Sequence, residues 1–74
     1  MARLPRVTAD EVLRALSRDG WYVERQRRHV ILVHRTKAGT VVVPRHKGQT
    51  LRLGTLSQII EAAGLTVDEF TQLL

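Results

Sequence analysis

The sequence predicts an α+β sandwich in the order α-β-β-β-α-α, with a three-stranded antiparallel sheet whose helices pack on one face. Three observations predict it. Helix-start signals of the Thr-x-x-Glu/Gln type stand near both ends of the chain, each leading into an apolar stripe of helical spacing. Three short runs rich in β-branched and aromatic residues lie between them. The runs are separated by only a few residues, which suits antiparallel neighbours and is too short for parallel crossovers. With 74 residues the expectation is a single domain over 1–74.

Thr8-Ala9-Asp10-Glu11 is a capping box, and Val12, Leu13 and Leu16 follow at helical spacing. Asp19-Gly20 ends this first helix, predicted over residues 9–18, with Gly20 suited to a left-handed position just past the end. Trp21-Tyr22-Val23-Glu24-Arg25-Gln26 reads as the first strand, with Trp21 and Val23 on one face. A tight turn at Arg27-Arg28 leads to His29-Val30-Ile31-Leu32-Val33-His34. Alternation places Val30, Leu32 and His34 on one face of this strand and His29, Ile31 and Val33 on the other. A turn at Thr36–Gly39 precedes Thr40-Val41-Val42-Val43, and Pro44 stops the third strand. Thr55-Leu56-Ser57-Gln58 is a second box, opening a helix with Leu56, Ile59, Ile60 and Ala63 that closes at Gly64. Thr66-Val67-Asp68-Glu69 is a third, opening a short helix with Phe70, Leu73 and Leu74.

Charge is distributed unevenly. The formal net charge is +5, yet residues 1–24 balance four arginines against four acids, and residues 61–74 carry only acids. Between them, residues 25–60 hold eight of the twelve Lys and Arg, all three histidines and no acid. A one-sign block of this size on a folded module points to a polyanion partner, and RNA fits a small open sheet with a basic rim. No run approaches the ~20 apolar residues of a membrane span. The first residues have no signal-peptide core and the chain has no Cys, so a cytoplasmic protein is expected.

The available chemistry is narrow. A two-metal nuclease needs clustered carboxylates, which the basic segment lacks. Three dispersed histidines without Cys do not make a zinc set, and no phosphate-loop or dinucleotide motif is present, so neither metal nor cofactor is expected. What remains is His among arginines. Histidine suits proton transfer at neutral pH, RNA brings its own 2′-hydroxyl nucleophile, and guanidinium groups stabilise the charge that develops on phosphorus. His29, directly after Arg27-Arg28, is the candidate general acid or base. Arg25, Arg27, Arg28, Arg45, His46 and Lys47 are the candidate RNA contacts. Set against this, a His at a strand end is commonly just a surface group. His34 is assigned to packing beside Val30 and Leu32. Trp21 and Tyr22 are able to stack on bases, but Trp21, following Gly20, is assigned to the core.

Several blocks in order resemble the HicA toxin family: Gly20-Trp21, the strand-leading His29, Val43-Pro44-Arg45-His46-Lys47-Gly48, Leu53-Gly54-Thr55-Leu56, and Ile59-Ile60-Glu61-Ala62-Ala63-Gly64-Leu65. The resemblance covers nearly the whole chain. It implies a double-stranded-RNA-binding-domain-like fold and a translation-independent mRNA interferase of a type II toxin–antitoxin pair, neutralised by a HicB-type antitoxin. The family's catalytic His leads the second strand, usually within Gly-Ser-His. His29 matches it by position, while Arg27-Arg28 stand where the family has Gly-Ser. That departure leaves open a second reading, an RNA-binding module of the same fold that does not cleave. A DNA-reading module is less well supported, because the helix after Thr55 carries no Lys or Arg.

Overall fold

The computed structural model describes residues 3–46 and 48–74. Its elements are α1 (Ala9–Arg18), β1 (Trp21–Gln26), β2 (His29–His34), β3 (Val41–Pro44), α2 (Leu53–Ala62) and α3 (Val67–Leu73). The strands form one antiparallel sheet in the order β1-β2-β3. This is the predicted α-β-β-β-α-α layout, with the helices on one face and the other face open.

The register shows how alternation builds the two faces. Val30 pairs with Val43 and Leu32 with Val41, and all four are buried together with Trp21. Against them pack Val12, Ala15 and Leu16 of α1, Leu56, Ile59 and Ile60 of α2, and Phe70 of α3. On the opposite face Ile31 pairs with Val42 and Tyr22 with Val33, and Tyr22 and Val42 stay about half exposed, at 50% and 46%. Val23 shares the helix side with Trp21 yet is 50% exposed. Of β1 only Trp21 is buried, and the pairing register shifts between Val23 and Arg25.

Local sequence signals account for most boundaries. Thr8 and Thr66 each accept from the N3 backbone while Glu11 and Glu69 accept from the cap backbone, so both of these boxes are complete. The box expected at Thr55 is not used. The helix starts earlier, at Leu53, with Arg52 as an N-cap that makes no side-chain cap bond. Leu51 and Leu56 occupy the N′ and N4 positions of a hydrophobic staple, and both join the core. Burying those two leucines fixes the start of α2 and leaves Thr55 inside the helix. β3 is likewise shifted by one residue, with Thr40 outside and Pro44 paired to His29. Leu51 also donates its N–H to the Val7 carbonyl at 2.8 Å, and Thr50 bridges to Thr8, so the segment before α2 is sewn to the segment before α1.

Candidate functional site

The β1–β2 hairpin runs out from the core, and every residue from Tyr22 to His29 is exposed. Its tip is tight: the Arg27 N–H donates to the His29 carbonyl at 3.1 Å, and Gln26 pairs with Val30. The first residue of β2 is therefore fixed by its backbone while its imidazole faces solvent on the open side of the sheet, the side shared by Ile31 and Val33. Among the described residues, no hydrogen bond engages the His29 imidazole. Arg25, Arg27 and Arg28 surround this tip on the same short stretch of chain, all exposed. Concentrated positive charge next to a solvent-facing imidazole suits a phosphodiester with a proton to move.

Pairing of His29 with Pro44 brings the second predicted group alongside. Arg45 and His46 follow Pro44 directly and are exposed. Directly opposed residues of an antiparallel pair lie about 5 Å apart between Cα atoms, so the hairpin tip and the loop after β3 form one basic surface. Arg45 reaches back to Asp10 in the first turn of α1 at 3.4 Å, which orients it without burying it. Lys47, the remaining predicted contact, lies outside the described residues.

The other members of the basic segment have different fates. Lys37 is drawn inward, donating to the Asp19 carboxylate at 2.6 Å and to the Ala63 carbonyl at 3.0 Å. It clips the β2–β3 turn to the C-terminal ends of α1 and α2. His34 is structural, as its alternation predicted. Its Nδ1 accepts from the backbone N–H groups of Thr36 and Lys37, each at 3.1 Å. With Nδ1 an acceptor, Nε2 carries the hydrogen and donates to the Asp19 carbonyl at 2.7 Å. The ring also meets Trp21 edge to face, with centroids 5.1 Å apart.

Sequence reasoning did not locate one feature of this surface. A concave site of about 500 Å³ opens beside Pro44 and is lined by His46, Gln49, Thr50, Leu51, Arg52 and Thr55. Arg52 lies in the basic segment, but its place in the site depends on where α2 begins, and the N-cap is Arg52 rather than the Thr55 that the box predicts.

No curated protein matches the chain. The family model described as the HicA toxin of bacterial toxin-antitoxin matches residues 9–65, from the start of α1 to just beyond α2. That span is well over half of the 74 residues, and the chain belongs to the HicA toxin family.

Proposed function

We propose that this toxin is an mRNA interferase that cleaves RNA without a metal ion, with His29 as its general acid or base. The observation that carries the reading is the exposed His29 imidazole at the tip of a tight hairpin, among Arg25, Arg27 and Arg28. In the reaction the RNA 2′-oxygen loses its proton and attacks the adjacent phosphorus. The bond to the 5′-oxygen breaks, and that oxygen takes up a proton. His29 handles one of these two proton transfers and water the other. The arginines, with Arg45, His46 and Lys47 on the neighbouring loop, hold the RNA backbone and stabilise the charge on phosphorus. The absence of any acid between Arg25 and Ile60 favours this route over one needing carboxylate-held cations.

The family supplies the partner, an antitoxin. We infer that it is of the HicB type, acidic where it meets the basic hairpin, and that it neutralises the toxin in the cytoplasm by covering His29. Among the described residues no helix is long and apolar enough to cross a membrane. Arg27-Arg28 in place of the family's Gly-Ser favours a second reading, RNA binding without cleavage.

One comparison decides between the two. Purified protein and its His29→Ala variant are incubated with RNA in EDTA. Cleavage by the wild type, lost in the variant, is the expected result. Binding without cleavage by either protein establishes the second reading, and cleavage that EDTA abolishes overturns the metal-free mechanism.

A further inference from the structure

The concave site beside Pro44 is more than a gap between elements. Backbone hydrogen bonds tie its walls at two places. The turn on one side is closed by the Gln49 N–H donating to the His46 carbonyl at 3.1 Å, with Gly48 at a φ of 75°. On the other side, the bridge of Thr50 to Thr8 and the buried Leu51 anchor the chain before it enters α2. A site held in place before its ligand arrives loses little freedom on binding.

Its lining is specific in chemistry. His46 and Arg52 supply cationic or hydrogen-bonding groups, Gln49 an amide and Thr55 a hydroxyl, and no acid contributes. Among the described residues none of these four side chains makes a hydrogen bond to another part of the protein. Leu51 and Pro44 give a small apolar floor. The volume falls within the roughly 300–1,000 Å³ of small-molecule sites. Pro44 lines the site and is the direct partner of His29 across the sheet, so the site opens at the same end of the sheet as His29.

We propose that this site is a nucleotide subsite, holding one ribonucleotide of the RNA strand that the basic surface binds. The phosphate of that nucleotide lies against Arg52 and His46. Its base edge meets the Gln49 amide, which offers both a donor and an acceptor, and Thr55 adds a hydroxyl. This rests on the reading of RNA as the substrate and deepens it: the hairpin tip performs the chemistry, and the loop before α2 selects a base of the same strand.

The test uses full-length His29→Ala protein and four 2′-O-methyl RNA hexamers, one for each base, which cannot be cleaved by 2′-oxygen attack. Amide chemical shifts and affinity are measured in parallel. The expected result is that the largest shifts fall on Gln49, Arg52 and Thr55, and that the hexamers differ in affinity. Arg52→Ala weakens all four about tenfold, the loss of one charge-assisted contact, and Arg52→Lys recovers part of the loss. Gln49→Ala evens out the four affinities, and Gln72→Ala, on α3, changes nothing. Shifts confined to the hairpin and open sheet face, with Arg52→Ala neutral, overturn the subsite and leave RNA recognition standing. Inorganic phosphate that reproduces every shift, with hexamers no tighter, also overturns it. Pocket binding by the hexamers while wild-type protein fails to cleave ordinary RNA supports the subsite and overturns the nuclease reading.

Discussion

His29 and His34 begin and end the same strand, and the two ends of that strand have opposite physical character. At the His34 end everything is tied. The imidazole joins Asp19, Thr36 and Lys37, the Trp21 ring lies against it, and Lys37 adds an ion pair to Asp19. At the His29 end the backbone is fixed and the side chains are exposed among arginines. One end holds the hairpin on the core so that the other can present a group to solvent at a defined place. A residue type says little about its role; its hydrogen-bond partners and its distance from the helices decide it.

Exchanging the two histidines' fates by mutation gives the largest contrast. His34→Ala removes a ring that satisfies two backbone N–H groups and one carbonyl, and is expected to lower stability by about 3 kcal/mol. His29→Ala should stay within about 0.5 kcal/mol of wild type, as surface substitutions do. Urea denaturation of the two variants checks this. Equal losses would mean that the tip is as structural as the anchor, and the contrast between the ends would fail.

Gly20 sharpens the same contrast from the backbone. Its φ is 101°, and a Cβ built there would meet His34 Nε2 at 2.7 Å. Gly20→Ala therefore combines a left-handed conformation that alanine resists with a collision against the anchoring ring. A loss of about 2 kcal/mol is expected, measured by the same denaturation. In the Gly20→Ala/His34→Ala double variant the collision is relieved, so the combined loss should fall short of the sum of the two single losses. Strict additivity would show that the two residues do not share one contact.

Much of this arrangement was legible in the chain because its signals are local. The boxes at Thr8 and Thr66, Gly20 after Asp19, and the alternation of Val30, Leu32 and His34 each follow from short-range sterics and hydrogen bonding. The features that were not legible depend on distant partners. α2 begins at Leu53 because Leu51 and Leu56 are buried in a core made by other elements, a choice that no four-residue motif records. Lys37 counted toward the basic block until Asp19 and Ala63 drew it inward. The groove at Arg52 exists only because Thr50 and Leu51 are stitched to Val7 and Thr8. At the candidate site, the hairpin tip was readable from residues in sequence, and its junction with the loop after Pro44 only from strand register.

At the exposed end the expected effects on stability are smaller and those on RNA are ionic. Arg27→Ala and Arg28→Ala should each leave the unfolding midpoint unchanged. Each should also reduce the slope of log affinity against log salt by about 0.7 for single-stranded RNA, one phosphate contact apiece. Titrations of the His29→Ala background with a 2′-O-methyl oligomer at several salt concentrations measure it. An unchanged slope in both variants would take these arginines out of the RNA contact.

The smallest effect is at the far end of α1, the helix whose C-terminal Asp19 anchors His34. The Glu11 carboxylate accepts from the Thr8 N–H at 2.9 Å and from the Thr8 hydroxyl at 3.1 Å. The backbone bond first, the hydroxyl bond second and the nearby Arg14 charge all favour its ionised form, and together they hold its pKa below the ordinary 4.5. Because the folded value is the lower one, the carboxylate's contribution to stability is fully present above the unfolded pKa. It is lost as pH falls through the folded pKa. Glu11→Gln keeps an acceptor for the box but cannot ionise. Its melting temperature should therefore lie below that of wild type by a constant small amount from neutral pH down to about 4.5, and the gap should close in more acidic solution. Thermal melts of both proteins across that range decide it. A gap that persists to the acid end would mean that the box stabilises α1 through hydrogen bonding alone, with no contribution from charge.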